Sequence, residues 1–215
     1  MADWSTISSL ATAGGTLVLA VATFAAVRSG NQSARVTERA LMAGLRPVLV
    51  PARFEDPAEK VGFFDEHWVK VPGGRAIVDV TDEVIYLVAS IRNVGAGLAV
   101  LDRWDLQPRR ILSTEEGGVV HRDPDDFRRL TRDIYVPAGD SGFWQGALRD
   151  PSDPLFEATR SAIAEGLGLT LDLLYEDHEG GQRTVTRFAL LPAQPGDPWM
   201  LSASRHWNLD RDDPR

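Results

Sequence analysis

The sequence predicts a mainly β protein, in which an N-terminal transmembrane helix and a stalk helix precede an immunoglobulin-like β-sandwich with two short helices. Three observations predict it. Trp4 to Val27 carries no charged side chain between Asp3 and Arg28. From Pro47 onward the apolar residues recur with a period of two, as in half-buried strands. Glycine and proline clusters then punctuate the chain at short intervals, which suits about seven to nine strands and favours a sandwich over a closed barrel. The expected division is an anchor over 1–28, a juxtamembrane stalk helix over 29–46, the sandwich over 47–209 and a flexible tail over 210–215.

A helix over residues 4–27 is about 36 Å long, enough to cross a hydrocarbon core of about 30 Å with some tilt. Serines, threonines and glycines dilute its first half, and the apolar centre lies from Leu17 to Val27. A secretory signal peptide would open on positive charge, whereas Met1, Ala2, Asp3 and Trp4 hold an acid. Arg28, Arg35, Arg39 and Arg46 follow the span against Glu38 alone. By the positive-inside tendency, the N-terminus lies outside and the C-terminal domain in the cytoplasm of a cell inner membrane. Ala11 with Gly15, and Gly14 with Val18 and Ala22, stand four apart and would let two such helices approach as a homodimer.

Val36, Ala40, Leu41 and Leu45 recur at helical spacing through the stalk, which Gly44 and Pro47 should end. Its arginines would lie against anionic headgroups. The net charge of the whole chain is −8, and the part beyond these arginines is more acidic still. An acidic domain repels a phosphate backbone, so nucleic acid is not an expected partner. Membrane lipid along residues 4–27 and an unidentified protein are. The chain has no cysteine, which removes disulfides, thiolate metal sites and cysteine nucleophiles.

Along the domain, Pro47–Arg53 reads as a first strand and Phe54–Lys60 as a loop. Phe63–Val71 reads as extended up to the turn at Pro72, Gly73 and Gly74, and Arg75–Val80 as a strand. Val84–Asn93 places Ile85, Leu87, Ala89 and Ile91 on one face. The run Asn93-Val94-Gly95-Ala96-Gly97 reads as a reversal with positive φ, returning through Leu98, Val100, Trp104 and Leu106. Asp102 interrupts that return strand and predicts a bulge or an edge. The two helices start at Asp123-Pro124 and at Asp153-Pro154, each with an aspartate cap and a proline in first position. Leu169–Tyr175 and Arg183–Leu191 form a hairpin, and Trp199–Trp207 closes the domain.

An Arg46-Pro47 strand soon after a single span, the run Asn93 to Ala99, and Leu173-Leu174-Tyr175-Glu176-Asp177 leading to Gly180 resemble uncharacterised bacterial single-pass membrane proteins with a sandwich-like soluble domain. The resemblance covers most of the chain. It rests on turn and core signals and implies no activity, cofactor or functional residue.

Candidate chemistry is sparse. His67, His121, His178 and His206 lack the four-residue spacing of paired ligands on one helix. Asp177, His178 and Glu179 at a hairpin tip form a candidate loop site, which competes with a plain solvated turn. No serine stands in a nucleophile elbow, and the glycine pairs lack the frame of a phosphate loop. The tryptophans suit a core, while Arg205, His206, Trp207 and Asn208 form a candidate interaction surface. No cofactor and no catalytic residue are expected. The leading expectation is a membrane-anchored protein-interaction or scaffolding module. The alternatives are a ligand-binding sensor, which needs a pocket lined by the aromatics, and a hydrolase or metalloenzyme.

Overall fold

A computed structural model describes residues 4–111, 122–194 and 196–211. The chain divides between Gly44 and Leu45 into two compact units. Asp3, His121, the glycine pair at 117 and 118, and tail residues 212–215 lie outside the described residues.

The first unit is one helix, α1 (Trp4–Gly44), so the expected anchor and stalk are a single uninterrupted element. It ends at the expected glycine. Leu17, Val18, Leu19, Val21 and Phe24 are each more than 60% exposed. Within Ala13–Glu38 an 18-residue window reaches a mean hydropathy of 1.3, and this part of the helix is long and apolar enough to cross a membrane.

The second unit is mainly β. Its strands are β1 (Leu49–Pro51), β2 (Glu59–Gly62), β3 (Trp68–Val71), β4 (Arg75–Val80), β5 (Ile85–Asn93), β6 (Ala99–Gln107), β7 (Arg128–Val136), β8 (Ser141–Leu148), β9 (Leu169–Glu176), β10 (Thr184–Leu191) and β11 (Trp199–Asn208). Nine belong to one antiparallel sheet, and β2 with β3 make a separate hairpin. β8 pairs with β5 along one edge, and β1 and β4 follow one another along the other. The ladder continues from β4 through β11, β10, β9 and β6 to β7. The sheet curls, and its two halves form the layers of a sandwich. Immunoglobulin-like domains divide their strands between two separate sheets. Here hydrogen bonding runs unbroken through all nine strands, so the likeness extends to the layering and not to the strand order.

Alternation explains the main core. Ile85, Leu87, Ala89 and Ile91 point into it with Leu101, Trp104, Trp144, Leu171, Leu173, Tyr175 and Phe188. The other face of β5 is buried as well. Tyr86 and Val88 pack beneath Val61, Phe63, Val69 and Val71 of the β2–β3 hairpin. The extended reading of Phe63–Val71 is therefore corrected. Phe63 to His67 is the turn of this hairpin, with Glu66 at φ 63°, and β2 begins within the segment read as a loop.

Asn93 to Gly97 is not the hairpin reversal that its glycines suggest. β5 and β6 do not pair; the chain crosses between layers there, and β6 joins β7 and β9 instead. Neither Gly95 nor Gly97 has positive φ. Close approach is what demands glycine: a Cβ would fall 2.2 Å from the Arg46 carbonyl oxygen at Gly95 and 1.8 Å from that of Leu45 at Gly97. Asn93 is fully buried and holds the crossing together. Its Oδ1 accepts from the N–H groups of Val48 (3.1 Å) and Gly95 (3.0 Å), and its Nδ2 donates to the carbonyls of Gly97 (2.7 Å) and Val136 (3.0 Å).

The expected bulge at Asp102 is present, since the register of β6 shifts there against both neighbours. The helix expected from Asp123 is only a 3₁₀ turn, Pro124–Asp126, capped by Asp123 as anticipated. Phe127 then anchors in a small core with Leu174, Val185 and Trp207, and Arg128 onward joins the sheet. The second helix, α2 (Pro154–Ala164), is capped by Asp153 and buries Phe156, Thr159 and Ala162. Asp210, expected in a loose tail, forms an ion pair with Arg46, whose Nη1 also donates to Thr184 at 2.9 Å.

Candidate functional site

β7 and β8 are consecutive in the chain, joined by a turn at Pro137–Asp140, yet they stand at opposite ends of the sheet's path. Among the described residues no ladder joins them. They part to form a cleft of about 920 Å³, lined by β7 residues Arg128 to Arg132, by Phe143, Gln145, Gly146 and Ala147 of β8, and by the β2–β3 hairpin.

The hairpin forms one wall. Trp68, 60% exposed, lies flat on Gly62, where a Cβ would come within 2.8 Å of its ring. Lys60 stands 4.7 Å above the same ring. Phe64, 79% exposed, sits beneath Arg149 at 4.1 Å. The hairpin turn is fastened by Asp65, which accepts from the Tyr86 hydroxyl at 2.6 Å and from Arg149. Burial pushes the Asp65 carboxyl up, but those two donors outweigh it and hold it down at about 2. Burial and the Asp65 carboxylate push the Tyr86 hydroxyl up. His67 stacks on Tyr86 at 3.9 Å, and its Nε2 lies 3.0 Å from Asp79 without the alignment of a hydrogen bond.

Trp104 and Phe143 contribute aromatic rings to the lining. Trp104 meets the core residue Trp144 edge to face at 5.3 Å, and Gly146 leaves room for both indoles. Arg128 is 5.9 Å from the Trp104 ring and Arg132 5.4 Å from that of Phe143, geometry suited to cation–π attraction.

Five cationic side chains line the cleft against the carboxylates of Asp150 and Asp153. Arg128 pairs with Asp153 and Arg149 with Asp65. The Arg128 guanidinium and the N–H of Leu155 both donate to Asp153 and lower its carboxyl. Lys60 and Arg129 have no carboxylate partner among the described residues. Arg132 donates to the neutral Oε1 of Gln145 at 2.6 Å. Among the described residues three positive charges thus remain there without an ion-pair partner, against the single further carboxylate of Asp150, in a chain whose net charge is −8. Anions are what such a site attracts.

The residues singled out from sequence lie elsewhere. Trp207 is 7% exposed and packs in the small core beneath the Arg187 guanidinium at 5.4 Å. His206 faces the other way, with its Nδ1 2.8 Å from the Thr186 hydroxyl; Arg205 and Asn208 are half-buried. At the hairpin tip, Asp177 Oδ1 accepts from the N–H groups of Gly181 and Gln182 at 2.8 and 3.0 Å, so its carboxylate shapes the turn. His178 and Glu179 are exposed. Among the described residues no group of three or more His, Asp or Glu side chains converges as metal ligands would.

Of the tryptophans expected to pack in a core, Trp104, Trp144, Trp199 and Trp207 do so and Trp68 does not. The cleft itself draws on four segments, 60–68, Trp104, 128–132 and 143–153. Its one local signal is the density of arginine from 128 to 132 in an acidic chain.

No family model matches this chain, and no curated protein does. Among solved structures, it is similar to a crystal structure of a protein from Archaeoglobus fulgidus, at 14% identity over 62% of this chain and 93% of that one, with a TM-score of 0.25.

Proposed function

We propose that this chain is a membrane-anchored protein-interaction module, held by α1 and binding an acidic protein segment in the cleft between β7 and β8. The carrying observation is the set of Lys60, Arg129 and Arg132, which among the described residues have no ion-pair partner, beside the aromatic rings of the cleft. Cations beside apolar rings attract an acidic chain and give its aliphatic parts somewhere to pack. The anchor reading is supported by the length of α1 and by the exposed apolar run from Leu17 to Val27. The basic residues that follow this run, Arg28, Arg35 and Arg39 against Glu38, support an inner membrane with the β unit on the cytoplasmic side. A reporter enzyme fused after Arg215 should be active only as a cytoplasmic fusion; periplasmic activity would reverse the orientation.

Binding is tested with the full chain in zwitterionic nanodiscs, titrated with a glutamate-rich peptide and with its lysine-rich counterpart while tryptophan fluorescence is followed. The acidic peptide alone should bind, more weakly as salt rises. Arg129→Glu with Arg132→Glu should abolish it, and Trp68→Ala should weaken it without unfolding the domain. Equal binding of both peptides, or indifference to the double variant, would overturn the proposal.

A second reading has its own support. A cleft of about 920 Å³ lined by Phe64, Trp68, Trp104 and Phe143 has the size and lining for a small anionic aromatic ligand, as a sensor domain would require. Such a ligand would compete with the acidic peptide.

A further inference from the structure

We infer that the cleft takes its acidic partner as an added β-strand, hydrogen-bonded to the free edge of β7 along Arg128 to Arg132. This rests on the cleft being the binding site, and it assigns how the partner is held.

The lining carries the inference. Side chains on a strand point alternately to opposite faces, so a sheet face turned toward a cavity contributes every second residue. Here Arg128, Arg129, Leu130, Thr131 and Arg132 line the cleft consecutively, and so do Gln145, Gly146 and Ala147 across from them. Consecutive lining is the mark of a strand presenting its edge, where backbone N–H and C=O groups project.

Among the described residues the β7 edge is open: its ladder runs to β6 alone, and even there Leu101 pairs with Ile134 while Arg103 pairs with Arg129. Leu130, Thr131, Arg132 and Asp133 therefore face Asp102 by itself, four residues against one. Such an irregularity releases backbone groups from the sheet, and bulges commonly sit where a strand is re-aimed toward a site. An edge of this kind is a template for another chain.

The same arginines that guard the edge against indiscriminate pairing select what can pair. A neutral or cationic strand would bring no charge to offset Arg129 and Arg132, whereas a strand carrying carboxylates would supply it. The exposed Trp68 and Phe64 form the facing wall, against which its apolar side chains can rest.

The test leaves the protein unaltered and changes the peptide backbone. An octapeptide of alternating glutamate and valine is compared, on the full chain in zwitterionic nanodiscs, with two forms N-methylated at the odd or the even amides. Only one set of amides faces β7 in an added strand. Methylating that set should weaken binding about ten-fold or more, and methylating the other should change it less than about three-fold. If both methylated peptides bind like the parent, strand addition is overturned while acidic recognition in the cleft stands. Equal loss from both overturns it too, because the period of two would be missing. If the unmethylated peptide itself fails to bind, the reading of the cleft falls and this inference with it.

Discussion

Arg132 Nη2 donates to Gln145 Oε1 at 2.6 Å, a bond between the strands at the two ends of the sheet's path. It spans the cleft and occupies a guanidinium that an acidic partner would need. Gln145→Met removes the acceptor while keeping the side chain's bulk. The expected result is acidic-peptide binding about two- to five-fold tighter, since the partner no longer displaces an internal hydrogen bond. Isothermal titration of the variant against the parent checks it.

Asn93→Leu should be among the most damaging single changes. It strands the N–H groups of Val48 and Gly95 and the carbonyls of Gly97 and Val136 inside the protein. At about 1–3 kcal/mol for each buried group left unmade, a loss of about 3 kcal/mol or more is expected. The midpoint of thermal unfolding should fall by about 6–12 °C. Gly97→Ala should also destabilise through its clash with the Leu45 carbonyl, whereas Gly139→Ala, with positive φ but open space around it, should cost only about 1 kcal/mol.

The buried pair of Asp172 and Arg187 supplies a third prediction. Arg187 Nε and Nη2 donate to the two carboxylate oxygens at 2.7 and 2.6 Å, with both side chains under 5% exposed. Arg187→Met leaves a buried carboxylate without its guanidinium and should cost about 3–5 kcal/mol. The double change with Asp172→Leu should recover part of that loss, as chemical denaturation would show.

Acid titrates the fastening of the hairpin. Because Asp65 is held at about 2 against an ordinary 3.8, its contribution is complete above pH 3.8 and is lost as pH falls through about 2. Asp65→Asn should be less stable near neutrality, and the gap between variant and parent should close between those values. Melting curves taken across that range test the sign.

Much of this architecture is legible in the chain. Charge-free length marks α1, alternation marks β5 and the β9–β10 pair, and Asp102 marks its own bulge. Misreadings have physical causes. The turn at Phe63 to His67 uses Glu66 at positive φ, without the glycine, proline or asparagine that announce most turns. Asp123 and Pro124 do start a helical turn, but the burial of Ile134 and Val136 draws the following residues into the sheet. At Gly95 and Gly97 the requirement for glycine is visible, while its reason, a carbonyl from another segment, is not local. The cleft was hidden for the same reason: arginines at 128, 129 and 132 look like the last turns of a helix until β6 shows them to lie on a strand edge.

The bond between Arg46 and Asp210 ties the start of the β unit to its end. Polypeptide enters and leaves this body at neighbouring points. A circular permutant, with residues 45 and 211 spliced through a short glycine linker and new termini cut at His178, should therefore keep its melting behaviour. The same adjacency would let the whole body be inserted as a cassette into a surface loop of a host protein.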